Sequence, residues 1–160
     1  MKRGPAKQDC NERGTQVAEL AMVLPLLLFL GLAVTEGAGF VRAHQMLNNA
    51  AREGAKFSTL QENYQDISDI QGVVDTYLKN ATNNNICQSA TGCNVSSPLA
   101  VVTVNQCVTI TTPAGVNKWA SRVEVSYAYQ LRYLPRLPWF NFPGTVTLRG
   151  RSEFVNFYGC

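Results

Sequence analysis

Glu19 and Glu36 bracket an apolar stretch, and four cysteines follow it; these side chains have the types and spacing that could do chemistry. The run Leu20–Thr35, LAMVLPLLLFLGLAVT, carries no charge, and each glutamate abuts one end of it. A carboxylate at the edge of an apolar helix is costly in lipid and implies a partner. One reading puts Glu19 at the interface, its stem in lipid and its carboxylate among headgroups. The other begins at Gly14, where the hydrophilic head of the chain stops. Cleavage after Gly14 would make Thr15 a new N-terminus with Glu19 as the fifth residue. The Thr15 ammonium of one subunit could then meet Glu19 of a neighbour offset along the helix axis. Such pairing relieves two desolvation costs and sets register, the best-attested use of a buried ion pair.

Cys10 lies in the head; Cys87, Cys93, Cys107 and Cys160 all follow Ile86. Four cysteines in an exported domain predict two disulfides, with three possible connectivities. Cys87 and Cys93 flank a short polar loop and are expected to pair, with Cys107 joined to Cys160. Zinc is the rival, but no C-x2-C pair is present. The single histidine, His44, argues against a multi-histidine metal site and reads as a solvated helix residue. There is no phosphate loop, no HExxH and no GxSxG. The expectation is a non-enzyme without cofactor or metal. A pI of 8.7 without a basic stripe gives no support to nucleic-acid binding. Two N-x-S/T patterns, at Asn80 and Asn94, matter only in a compartment that glycosylates.

These groups need elements to carry them. The 160 residues suffice for about one domain. Val17 to Val41 would form a helix about 37 Å long, enough to cross a hydrocarbon core of about 30 Å. Lys2, Arg3, Lys7 and Arg13 precede this stretch, against Asp9 and Glu12, so much of the net charge of +3 lies in the head. The positive-inside rule then predicts a cytoplasmic N-terminus and an exported C-terminal part. A cleaved secretory signal is the alternative, with Gly37, Ala38 and Gly39 as small residues at its site. The helical pattern runs on through Leu60, which argues against it. Pro25 falls inside the span; membrane neighbours can satisfy the carbonyl it frees, and a kink near Ala21 is expected. Gly31, Thr35, Gly39 and Ala43 recur every four residues, suited to close helix contact or, equally, to plain lipid exposure.

A basic head ending in glycine, with Glu five residues beyond, resembles the class III signal of type IV pilin-like proteins. Three further segments narrow the likeness: AELAMVLPLLL from Ala18, Thr35-Glu36-Gly37, and NNAAREGA from Asn48. Together they resemble the TadE family of minor pseudopilins from tight-adherence (Flp-type) pilus systems. The resemblance implies cleavage between Gly14 and Thr15 by prepilin peptidase on the cytoplasmic face. It implies subunit assembly through Thr15, Glu19 and Pro25, with other pilin or pseudopilin subunits, the pilus machinery and the lipid bilayer as partners. It implies a single-pass protein of the bacterial inner membrane, concerned with adhesion. In it, Glu36 marks where the helix leaves the bilayer.

Beyond the span the apolar face continues through Leu47, Ala50, Ala51, Gly54 and Phe57. A second helix is expected from about Asp66 to Ala81, with Ile67, Ile70, Val73, Val74, Tyr77 and Leu78 on one side, ended by Asn83-Asn84-Asn85. The period then changes to two. Leu99–Thr112, Arg122–Tyr133 and Thr145–Phe157 read as three strands of an antiparallel sheet packed on the helices. The predicted class is α+β: a leader (1–14), a transmembrane helix (15–41) and an exported domain (42–160). Between the last two strands, Pro135, Pro138 and Pro143 surround Trp139, Phe140 and Phe142. That link is either a contact surface or a lid over the end of the sheet. The leading functional expectation is a minor pseudopilin for pilus assembly or initiation. The alternative is a membrane-anchored module whose exported domain binds a ligand.

Overall fold

The computed structural model describes residues 10–60, 66–83, 85–93, 98–131 and 144–156, with side chains from residue 16 onward. Expectations that fall on the leader's first nine residues, the Gly14 and Thr15 side chains, the aromatic link at 132–143 and Cys160 lie outside that range. The fold is α+β: α1 (Cys10–Phe57), α2 (Ile67–Thr82), β1 (Val101–Thr111), β2 (Asn117–Gln130) and β3 (Thr145–Val155).

α1 is one uninterrupted helix of 48 residues, about 72 Å long. Leu and Ala dominate its first half and disfavour no turn; Pro25 lies inside it without ending it. Its last turn tightens. Ser58 N–H donates to the Gly54 carbonyl at 3.0 Å, Thr59 N–H to Lys56 at 3.2 Å and Leu60 N–H to Phe57 at 3.2 Å. The Ser58 and Thr59 hydroxyls donate to the Ala55 and Lys56 carbonyls, both at 2.7 Å, satisfying acceptors a helix end leaves open. Ser58 Oγ also lies 2.6 Å from Ser121 Oγ, which ties the end of α1 to β2.

α2 begins at Asp66, whose carboxylate accepts from Ser68 N–H at 3.0 Å and Asp69 N–H at 3.3 Å. The Ser68 hydroxyl bond, first, and the Asp69 amide bond hold the Asp66 carboxyl below its ordinary pKa. It ends at Asn83, which takes a left-handed φ of 50° and donates its N–H to the Lys79 carbonyl. Thus the first asparagine of the Asn-Asn-Asn run caps the helix. Ile67 departs from the expected apolar face: it is exposed, while Ile70, Val74 and Leu78 are buried.

The strands form an antiparallel meander in the order β1-β2-β3. Gly115, with φ +75°, allows the tight turn between β1 and β2. β2 stops at Gln130, three residues before the end of the alternating run. Val123, Val125 and Tyr127 point inward, opposite Val104 and Val102 on β1 and Ser152, Gly150 and Leu148 on β3. The outward face carries charge. Glu153 accepts from Arg122 Nε at 2.6 Å across the strands and from Arg151. The Arg151 bond, first, and Arg122 keep the Glu153 carboxyl below its ordinary pKa. The pleat therefore separates core from solvent as a one-sided antiparallel sheet should.

Both helices cover the inward face. The core joins Leu47, Ala50, Ala51 and Ala55 of α1 to Ile70, Val74 and Leu78 of α2 and to the inward residues of the sheet. Fully buried Leu47, Ile70 and Leu78 each contribute roughly 1.5–3 kcal/mol. The closest approach is between backbones. A Cβ at Gly150 would sit 2.5 Å from the Leu47 carbonyl carbon and oxygen and 2.7 Å from the Asn48 nitrogen. A glycine inside a strand marks such an approach. Gly150→Ala is expected to destabilise the domain by about 2 kcal/mol, because neither backbone can yield. Gly31→Ala, with nothing within 4 Å and inside a helix where alanine is favoured over glycine, should not destabilise the chain. Thermal unfolding of the full chain in detergent measures both, and an unchanged midpoint for Gly150→Ala would refute the close contact.

Candidate assembly interface

Most of the described side chains in the first half of α1 are exposed. From Gln16 to Thr35 nearly every side chain is exposed: Met22 at 83%, Val34 at 69%, Val17 at 67%. This is a contiguous apolar surface of the kind that marks a membrane or protein contact. Gln16–Phe57 is long and apolar enough to cross a membrane, with a mean hydropathy of 2.4 in its most apolar window and none of that window buried. The bare segment, at 1.5 Å per residue, spans about 30 Å, the thickness of a hydrocarbon core.

Glu19 stands exposed on this bare segment, one turn and a half before Pro25. Gly14 and Thr15 lie within α1, continuous with the span. The structure thus puts the predicted cleavage and assembly positions on one projecting rod. Thr35 closes its own hydroxyl onto the Leu32 carbonyl at 2.9 Å, so it makes no demand on lipid.

The stripe of small residues is divided between two environments. Gly31 faces open space. Gly39 faces the sheet: a Cβ there would lie 2.7 Å from the Tyr129 hydroxyl. Ala43 is buried in the core. The upper half of the stripe therefore serves the protein's own sheet, a use the four-residue spacing could not distinguish from helix pairing. Phe40 packs edge-on against Tyr129 with ring centroids 5.9 Å apart. Glu36, expected at the outer interface, is 4% exposed and already enclosed by the folded domain. His44 is exposed.

The segment Asn48–Ala55 is a packing seam. Ala50, Ala51, Gly54 and Ala55 are buried, whereas Arg52 and Glu53 are exposed between them. Residues 14–56 match the family described as TadE-like protein. The chain carries a TadE-like stem. The match covers just over a quarter of the chain and coincides with α1 from Gly14 almost to its end. It points to a tight-adherence pilus system. No curated protein and no solved structure matches the chain.

Above the TadE-like stem, the connection from α2 to β1 is cross-linked. Cys87 and Cys93 form a disulfide with Cα atoms 6.1 Å apart. Cys107, beside the register shift in β1, is also disulfide-bonded, to a cysteine outside the described side chains. The Cys87 carbonyl accepts from Ala100 N–H at 2.8 Å, and Gln88 N–H donates to Asp75 Oδ1 at 2.7 Å. Lys79 holds Asp75 from one turn on, at 2.6 Å. The cross-link therefore braces the exit from α2. Replacing Cys87 and Cys93 by Ala together should lower stability by about 2 kcal/mol, the loop-closure entropy of so short a ring. Denaturant unfolding of the oxidised chain and the double variant checks this; equal midpoints would show that the cross-link contributes nothing.

Proposed function

We propose that this protein is a minor pseudopilin that takes part in assembly or initiation of a tight-adherence pilus. It is a structural subunit rather than an enzyme. The observation that carries the reading is the coincidence of the TadE-like match with one projecting apolar helix. In this reading α1 crosses the bacterial inner membrane with its N-terminus in the cytoplasm. Prepilin peptidase removes residues 1–14, and Thr15 becomes the mature N-terminus. Neighbouring subunits then pack their stems side by side, Glu19 of one meeting the Thr15 ammonium of the next. The exported domain stands outside the bilayer, where its cysteines oxidise.

Processing is tested by mass spectrometry of the protein from membranes of the native host. The unaltered chain should begin at Thr15, and the bulky Gly14→Val should remain full length. Normal processing of Gly14→Val would refute the assignment. Assembly is tested at Glu19. Glu19→Ala removes a carboxylate from an apolar span, so insertion of the lone helix should ease by up to ~3 kcal/mol. Association should weaken, because the neighbour's ammonium loses its partner, and Glu19→Gln should be nearly as harmful. Co-purification of differently tagged copies, at equal membrane levels, reads the effect. Unchanged co-purification of both variants would leave α1 as a simple anchor for a ligand-binding domain.

A further inference from the structure

The two helices leave an open groove of about 690 Å³ between them, lined by residues of α1 and α2 alone. Phe57 of α1 and Val73 and Tyr77 of α2, all half-buried, form its apolar part, and exposed Glu53 and Asp69 stand at its rim. We propose that this groove receives α1 of a second copy of the chain, whose Arg52 meets Glu53 and whose Lys56 meets Asp69. The parallel placement of the copies rests on the side-by-side stems proposed above.

Charge is the first argument. The groove is acidic, and the other flank of α1 is basic. Arg52 and Lys56 lie about 100° and 60° around the helix from Glu53, in the sense opposite to Phe57. They line a cleft that reaches Phe154 of β3. Elsewhere charges are paired within the chain: Lys79 holds Asp75, Arg122 and Arg151 hold Glu153, and Arg149 faces Glu124. The side chains of Arg52, Glu53, Lys56 and Asp69 have no ion pair among the described residues. Arg52 and Lys56 also stand four residues apart, where like charges repel along a helix. A surface acidic on one flank and basic on the other complements itself head to tail, the contact from which open assemblies grow.

Space is the second argument. Gly72 lies inside α2 and lines the groove, although glycine is disfavoured against alanine in a helix. Its φ is not positive, and a Cβ there would meet nothing within 4 Å. No contact within the described chain requires a glycine; its effect is to keep the groove open.

Register is the third argument. With its Thr15 level with Glu19 of the first copy, the second copy is raised by four residues, about 6 Å. Its Arg52 then lies about 4.5 Å above the first copy's Glu53 along the axis, and helical side chains lean towards the N-terminus, which narrows that gap. Its Lys56, one turn higher, faces the first turn of α2, which holds Asp69. In the reverse arrangement the raised copy's Glu53 would lie about 7.5 Å above the lower copy's Arg52, with the arginine leaning away. The raised copy therefore supplies the basic flank and the lower copy the groove.

The test is co-purification of differently tagged full-length copies from membranes at equal levels. Unaltered copies should co-purify. Glu53→Arg in both copies, or Arg52→Glu in both, should lower recovery about fivefold, one exposed ion pair exchanged for a repulsion. A copy with Glu53→Arg mixed with a copy with Arg52→Glu should regain the original recovery, a rescue that a role confined to one chain does not produce. Gly72→Leu should lower recovery at least as much without lowering the thermal midpoint. Unaltered copies that fail to co-purify would overturn a second copy as the occupant. Absence of rescue, or undiminished recovery of Gly72→Leu, would overturn the groove. Glu19→Ala in the same assay separates the two readings. A loss at Glu19 with none at Arg52 or Glu53 would keep the paired stems and overturn the groove; rescue with a silent Glu19→Ala would keep the groove and remove the register at Thr15.

Discussion

Between Val34 and Leu47 the side chains of one helix pass from 69% exposed to fully buried, with no break in the backbone. The α-helix permits this because it satisfies its own hydrogen bonds in either medium. A sheet cannot, since an open edge in hydrocarbon would leave backbone groups unpaired. The described sheet meets α1 at the turn that holds Gly39, where Tyr129 packs. Everything else in the domain is arranged around the part of α1 above that level. β3 lies against it at Gly150, β2 is tied to its end through Ser121 and Ser58, and α2 fills the remaining flank.

Small residues are what allow the sheet so close. Gly39, Ala43, Ala50, Ala51, Gly54 and Ala55 all face the domain. They bury little apolar area each, so apart from Leu47 the large hydrophobes come from elsewhere: Ile70, Val74 and Leu78 of α2, Val123 and Val125 of β2. This gives a physical reading of the TadE-like segment around Asn48–Ala55. Its Ala and Gly positions form the seam, while Arg52 and Glu53 are the solvated residues the helical period leaves between them. The motif's small residues are a docking face for the sheet.

Much of this was legible in the sequence because it is periodic. The steps from Leu47 to Phe57 and the alternation from Val123 to Tyr129 state which faces turn inward, and the structure buries those faces. What periodicity could not state is depth along the helix. Glu36 looked like an interfacial charge because its neighbours in sequence are apolar; its burial comes from strands some ninety residues away. The stripe from Gly31 to Ala43 has one spacing but two environments, for the same reason. Gly150 carried a local signal, an isolated glycine inside a strand, yet only the fold identifies Leu47 as the backbone it admits. Ser58 and Ser121 had no signal at all. Two serines 63 residues apart become partners only once the end of α1 is laid on β2.

Continuity of α1 also couples the two ends of the molecule. From Glu19 to Phe57 the helix covers about 57 Å without a described break. An axial offset imposed on neighbouring stems at Glu19 would therefore reappear as the same offset between their domains. The one internal weak point is Pro25, which withholds the N–H that the Ala21 carbonyl would otherwise accept. It lies between Glu19 and the sheet, inside the bare segment, so bending there would change how stems meet in an assembly without disturbing the packed seam. Packing above Gly39 fixes the domain against the upper part of the helix, and in an assembly of stems the bare part around Pro25 would be the part left to adapt to a neighbour.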